Sequence, residues 1–212
     1  MFKIAVFVSG GGTNLQAIID RIADSTLAGI QIAGVVASRA GTFAEQRALK
    51  SGIPCVIVNR RDYQDIIGYD QVMIAAIQPW NVDLIVLAGF LSHLGPALIA
   101  AYRNRIINIH PSMIPAFCGA GYYGIRPHEA VLAQGVQVTG ATVHIVDEHY
   151  DQGPIIMQKE VAVKPNDTPQ ILQQRVMEEA EQIILPQSIA LFAAGRIRIE
   201  DRKAIIEGDK NQ

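Results

Sequence analysis

Along this chain, short runs of aliphatic and β-branched residues alternate with segments whose apolar positions recur every three or four residues. The runs at 4–8, 30–36, 55–58, 82–87 and 106–109 predict strands, and the segments at 15–23, 42–51, 65–78 and 97–102 predict helices. The runs are nearly continuous rather than alternating, so these strands are buried on both faces. With helices between them, that pattern predicts an α/β fold: a mostly parallel, twisted, Rossmann-like sheet with helices on both faces. From about Thr139 the pattern changes. Residues 138–146 and 155–163 read as two longer neighbouring strands, an antiparallel addition in the C-terminal third. Residues 168–192 predict one long helix that Pro186 bends or divides. Residues 196–200 predict a last edge strand. The expected organisation is a single domain over 1–205 and a loose tail over 206–212, with no internal repeat, linker or low-complexity block.

Composition narrows the class. Half of the 212 residues are hydrophobic, enough for a buried core, while 18% are charged and the formal net charge is −2. With no basic cluster, that balance predicts neither nucleic-acid nor anionic-membrane binding. The N-terminus enters a strand-like run without the basic region and long apolar core of a signal peptide, and no apolar stretch reaches the roughly 18 residues needed to span a bilayer. Cys55 and Cys118 lack metal-ligand spacing and are too sparse for a disulfide scaffold. The expectation is a cytoplasmic enzyme acting on small molecules.

Three segments carry chemistry. The first βα turn is Ser9-Gly10-Gly11-Gly12-Thr13-Asn14-Leu15. Its glycines let the backbone approach a ligand where a helix begins, and the free N–H groups and positive dipole end there suit a phosphate monoester. It is neither a Walker loop, since no Lys follows, nor the spaced-glycine dinucleotide fingerprint. The alternative is a tight turn with Thr13 or Asn14 as helix cap, yet three successive glycines exceed what a turn requires. Leu87-Ala88-Gly89-Phe90-Leu91 ends the most apolar strand, at the edge where parallel sheets bind ligands. Phe90 and Leu91 either line a slot for a flat cofactor or belong to the core.

The third segment is Ile106-Ile107-Asn108-Ile109-His110-Pro111-Ser112, followed about forty residues on by Asp147-Glu148-His149-Tyr150-Asp151-Gln152-Gly153-Pro154. On a strand, Asn108 and His110 point to the same face. An amide donor beside an imidazole suits acyl transfer, in which an oxyanion needs a donor and an attacking amine must lose a proton. Asp151 would orient the imidazole and raise its pKa. Alternatively, Asp147, Glu148 and Asp151 form a solvated turn. His144, on a later apolar strand, reads as a structural partner, and His93, His128 and His149 as surface or loop residues.

In kind and order these segments resemble the phosphoribosylglycinamide formyltransferase family of the folate-dependent formyltransferase superfamily, over about residues 3–200. The Asn108-Ile109-His110-Pro111-Ser112 run with its downstream Asp151 is specific to the superfamily. The glycine turn and the Leu87–Ala88–Gly89–Phe90 strand end narrow it to the family, and Phe117-Cys118-Gly119-Ala120-Gly121-Tyr122-Tyr123-Gly124 is similar to an insertion in some bacterial members. The resemblance implies the Rossmann-like formyltransferase fold and transfer of the formyl group of 10-formyltetrahydrofolate, a co-substrate, to the amine of 5-phosphoribosylglycinamide in de novo purine (IMP) biosynthesis. No metal is implied, because the formyl carbonyl is already an activated amide and no water needs ionising. The oligomeric state stands open between monomer and homodimer.

The same resemblance implies a role for each matching residue. Gly12, Thr13, Asn14 and Glu181 hold the phosphoribosyl substrate. Leu91, Ser92, His93 and Leu94 grip the pterin ring, and Asn108 with Asp147, Glu148, His149, Tyr150 and Asp151 closes over it. Asn108, His110 and Asp151 form the catalytic trio, with Thr142 and His144 beside it. Three positions depart from the family pattern. Ser92 stands where relatives often carry Arg, Ile66 where a basic residue near the folate tail is common, and Glu178 where a polar or basic residue is common, with the spacing around Glu181 shifted by one. Among rivals, a formyltetrahydrofolate deformylase uses water as acceptor and is expected to carry an extra N-terminal regulatory domain, whereas this chain begins at the catalytic strand. A methionyl-tRNA formyltransferase is expected to carry a further C-terminal domain and a basic surface. A non-catalytic nucleotide-binding module would leave Asn108, His110 and Asp151 unexplained.

Overall fold

The computed structural model describes residues 1–208, in which two compact units are distinguished, one over Met1–Ile107 and one from Asn108 onward. The first unit alternates strands and helices: β1 (Phe2–Val8), α1 (Thr13–Ala23), β2 (Ile30–Ala37), α2 (Phe43–Lys50), β3 (Cys55–Ile57), α3 (Ile66–Ile77), β4 (Leu84–Leu87) and α4 (Pro96–Ala101). Strand β5 (Ile106–His110) straddles the division. The second unit holds α5 (Arg126–Gln134), β6 (Val138–Ile145), β7 (Ile155–Ala162), α6 (Pro169–Val176), α7 (Gln182–Ala193), β8 (Ile197–Glu200) and β9 (Lys203–Ile206).

Seven strands form one sheet in the order β3-β2-β1-β4-β5-β6-β7. β1 runs parallel to β2 and β4, β2 runs parallel to β3, and β6 pairs antiparallel with β7, the predicted C-terminal addition. β1 is central, and Ile4, Ala5, Val6, Phe7 and Val8 are fully buried. Burying each of its larger side chains contributes about 1.5–3 kcal/mol, which a polar residue in this run would forfeit. Helix starts follow local capping. Thr42 accepts from the Glu45 N–H, Asp65 from the Gly68 N–H and Thr168 from the Ile171 N–H.

The structure departs from expectation at four places. Helix α5 was not predicted. The long C-terminal helix divides at a π turn over Met177–Glu181, and Pro186 lies inside α7. Proline leaves the carbonyl four residues earlier without its usual bond. That residue, Gln182, is the one that closes the π turn, so the break falls a turn ahead of the proline. The predicted last edge strand, β8, pairs instead with β9 in a separate two-stranded sheet. Ile206, expected to start the tail, ends β9, and residues 209–212 of that tail lie outside the described residues. Among the described residues, no helix is long and apolar enough to cross a membrane.

Candidate active site

In the first unit, strand order reverses between β1 and β4, so their carboxyl ends form the switch point where open α/β sheets bind ligands. The glycine turn leaves β1 at this edge and residues 88–94 leave β4. Ser9 joins the two, its Oγ accepting from the Leu91 N–H at 2.9 Å and from the Ser38 hydroxyl at 2.8 Å. Phe7 and Phe90 meet edge to face with centroids 5.3 Å apart. Phe90 and Leu94 are therefore core residues, while Leu91 is 54% exposed. Beyond them, the buried Asp70 accepts from the Gly95, Ala97 and Leu98 N–H groups and caps α4. Residues 91–94 are thus pinned at both ends.

The three glycines of the turn differ in what holds them. Gly12 caps α1 at φ 69°, and a Cβ there would lie 2.7 Å from Ala44, so the fold itself requires glycine. Gly10 and Gly11 lie outside the left-handed region, and an added Cβ would meet no described residue within 4 Å. The fold supplies no reason for glycine at either. Neither Thr13 nor Asn14 is the cap: Gly12 is, and among the described residues α1 has no side-chain cap hydrogen bond. The turn is tied to α2, with the Gly10 carbonyl accepting from the Ala44 N–H and the Gly11 carbonyl from Arg47 Nε at 3.0 Å. Arg47, which also bonds Gln16, was not picked out from the sequence.

In the second unit, Asn108 and His110 reach three partners. Asn108 Nδ2 lies 3.1 Å from His144 Nε2, and His144 Nδ1 lies 2.8 Å from the Ile145 carbonyl. A carbonyl only accepts, so Nδ1 carries a proton, and Nε2 faces both the Asn108 amide and Asp151. The same logic orients His110. Its Nε2 donates to the Phe117 carbonyl at 3.0 Å, leaving Nδ1 as the basic atom, 3.6 Å from Asp151 Oδ2. Asp151 Oδ1 lies 3.5 Å from His144 Nε2, and its Oδ2 accepts the Gly119 N–H at 2.9 Å. His110 and Asp151 are 4% and 8% exposed. Thr142 secures the turn after β5: its hydroxyl donates to the Ser112 carbonyl and accepts from the Ile114 N–H and Gln158.

Burial decides the charge states. It pushes the His110 imidazole down, and the upward pull of Asp151 and the Phe117 carbonyl does not restore it, so its pKa lies below the ordinary value. The expectation that Asp151 raises it above that value is corrected here. Burial pushes the Asp151 carboxyl up, but His144, His110 and the Gly119 N–H pull it further down, and it stays below the usual range. At neutral pH an anionic Asp151 therefore sits beside a neutral His110. His128, expected at the surface, is fully buried, its ring nitrogens meet no partner among the described residues, and burial with the nearby His110 pushes its pKa down to about 4. The i, i+3 spacing of His128 and Val131 was the available sign of a buried face.

The family model for formyl transferases matches residues 2–189. The chain belongs to that family. It is 35% identical over 99% of its length to the chloroplastic phosphoribosylglycinamide formyltransferase of Vigna unguiculata, covering 67% of that protein. It is 37% identical to the trifunctional purine biosynthetic protein adenosine-3 of Bos taurus, of which it spans only 19%. Its fold matches glycinamide ribonucleotide transformylase 1 from Symbiobacterium toebii with a TM-score of 0.90 at 37% identity, covering 97% of this chain and 94% of that one. A formyltetrahydrofolate deformylase from Pseudomonas syringae matches with a TM-score of 0.86 at 25% identity, covering 97% of this chain and 65% of that one.

Measured against the family resemblance, the second unit brings together Asn108, His110, Asp151 and His144, and adds the Phe117 carbonyl and Gly119 N–H from the insertion. The solvated-turn alternative fits Glu148, His149 and Tyr150, which are exposed, but not Asp151. Gly153 lets the loop fold back on β6, since a Cβ there would lie 1.8 Å from the Ile145 carbonyl oxygen. Glu181, 9% exposed, is the last residue of the π turn. Glu178 accepts from Gln174 on the exposed side.

Proposed function

We propose that this protein transfers the formyl group of 10-formyltetrahydrofolate to the primary amine of 5-phosphoribosylglycinamide, giving formylglycinamide ribonucleotide and tetrahydrofolate in purine biosynthesis. The observation that carries the reading is the buried meeting of Asn108, His110, His144 and Asp151, an amide donor, a basic imidazole nitrogen and a carboxylate in mutual reach. The amine adds to the formyl carbon and the carbonyl electrons pass to oxygen. One N–H of Asn108 is engaged with His144, and the other donates to that oxyanion. The proton leaving the amine goes to His110 Nδ1, and Asp151 stabilises the imidazolium so formed. When the tetrahedral intermediate collapses, the C–N bond to the folate breaks and the folate nitrogen takes up the proton held by His110, which returns the imidazole to its neutral form. Burial favours this order: a neutral imidazole accepts a proton more readily than one already charged.

In the same reading, the backbone of Gly10, Gly11 and Gly12 with Thr13 and Asn14 holds the phosphate at the start of α1, the space over Gly10 and Gly11 being available to it. Glu181 contacts the same substrate, and Leu91, Ser92, His93 and Leu94 with residues 147–151 hold the pterin. Its partners are these small molecules, in the cytoplasm, without metal or nucleic acid. The test is tetrahydrofolate formation from 10-formyltetrahydrofolate with and without 5-phosphoribosylglycinamide. Release only with the amine is expected. Equal release without it would make the protein a hydrolase, and none in either case would leave a binding module.

A further inference from the structure

The C-terminal hairpin breaks a local rule at its turn. Glu200 pairs with Lys203, which leaves Asp201 and Arg202 as a two-residue turn, both left-handed at φ 45° and 61°. Such a turn favours Asn or Asp first and Gly second. Asp201 fits. Arg202 takes on a backbone penalty that closing the hairpin does not explain.

Its side chain supplies the explanation. Arg202 Nη2 lies 3.0 Å from Asp147 Oδ2 and donates to the Gln152 carbonyl at 3.0 Å. Asp147 and Gln152 are the two ends of the loop that presents Asp151. One nitrogen, 50 residues away from Gln152 in sequence, ties both ends together. The other oxygen of Asp147 accepts the His149 N–H at 2.8 Å, so one carboxylate serves loop and hairpin at once. Arg202 is 56% exposed and borders an open groove lined by Gln152, Pro154 and Ile205. An exposed ion pair stabilises a fold little. What it can do is narrow the positions the loop takes, and a misplacement of about 1 Å at a reacting group costs on the order of 10²-fold in rate.

We infer that Arg202 is a positioning residue, acting through residues 147–152 to keep the Asp151 carboxylate on His110 and His144. The inference rests on the reaction proposed above, but its test does not depend wholly on that reaction. Arg202→Gly suits the turn and removes the tie, while Arg202→Lys keeps a cation with several N–H groups. Arg202→Gly should melt at or above the wild-type temperature, yet lose about 10-fold in kcat with KM for 5-phosphoribosylglycinamide within about 2-fold. Arg202→Lys should recover most of the loss. Asp147→Asn, which breaks the same pair from the other side, should reproduce the loss and not add to it. NMR titration of His110 in the ligand-free chain needs no turnover, and its pKa should fall by about half a unit or more in Arg202→Gly as the carboxylate drifts away. An inactive wild type would end the proposed reaction while leaving that titration to decide on Arg202. An unchanged His110 titration, or wild-type kcat in both Arg202→Gly and Asp147→Asn, would overturn the inference.

Discussion

The glycine turn of the first unit and the Asn108–His110 cluster of the second are built in opposite ways. The turn works through backbone: Gly12 gives the chain a left-handed step against Ala44, and Gly10 and Gly11 leave space beside the first N–H groups of α1. The cluster works through side chains carried by β5, β6 and the loop before β7, held by backbone groups of the 117–124 insertion and buried far enough that desolvation outweighs a neighbouring carboxylate. A site built from main chain is legible in a few consecutive residues. A site built from side chains depends on what the fold packs around them, and its charge states can invert a pairwise expectation.

The largest effects should come from the cluster. His110→Ala and Asn108→Ala are each expected to lower kcat by about 10²-fold or more with little change in melting temperature. Near-normal turnover in either would remove the cluster from the chemistry. Asp151→Asn should lower kcat by roughly 10-fold or more and move the His110 pKa further below its ordinary value, since it removes the first influence that pulls it up. The acid limb of the rate profile should then shift to lower pH, and a shift to higher pH would contradict the assignment of His110 as base.

The turn should respond in binding rather than rate. Gly11→Val is expected to raise KM for 5-phosphoribosylglycinamide about 10-fold without loss of stability, because its Cβ meets no described neighbour. Gly12→Val should instead destabilise by about 2–4 kcal/mol, through the clash with Ala44 and the left-handed backbone. Equal melting temperatures for the two variants would erase the distinction drawn between these glycines.

The smallest effect concerns His128. Its folded pKa of about 4 lies below the ordinary 6.5, so the unfolded chain binds the extra proton between those values. Its contribution to stability is present above about pH 6.5 and is lost as pH falls toward 4, at roughly 1 kcal/mol per pH unit. Urea unfolding between pH 7 and pH 5 should show a shallower dependence in His128→Leu than in wild type. Parallel curves would mean that the burial of His128 carries no such penalty.

The sheet was legible because its signal is local. Continuous apolar runs such as 4–8 and 106–109 can only be satisfied in strands covered on both faces. The Asn108–His110 pair was legible for the same reason, since a strand's period puts both on one face. Helix α5 was not, because Arg126, His128 and Glu129 make its first turn largely polar and its buried face is short. The β9 strand was not, because Lys203–Ile206 gains its pairing only from β8.

The sequence by itself determined the order of elements apart from α5 and β9, the parallel sheet, the antiparallel addition and the candidate residues, because backbone period and glycine geometry act between near neighbours. Tertiary structure alone decided that His144 meets the Asn108 amide, that the Phe117 carbonyl orients His110, that His128 is buried, and that Arg202 grips the loop of Asp151. These depend on distances between residues far apart in the chain and on the dielectric that packing creates around them. No local pattern encodes either quantity.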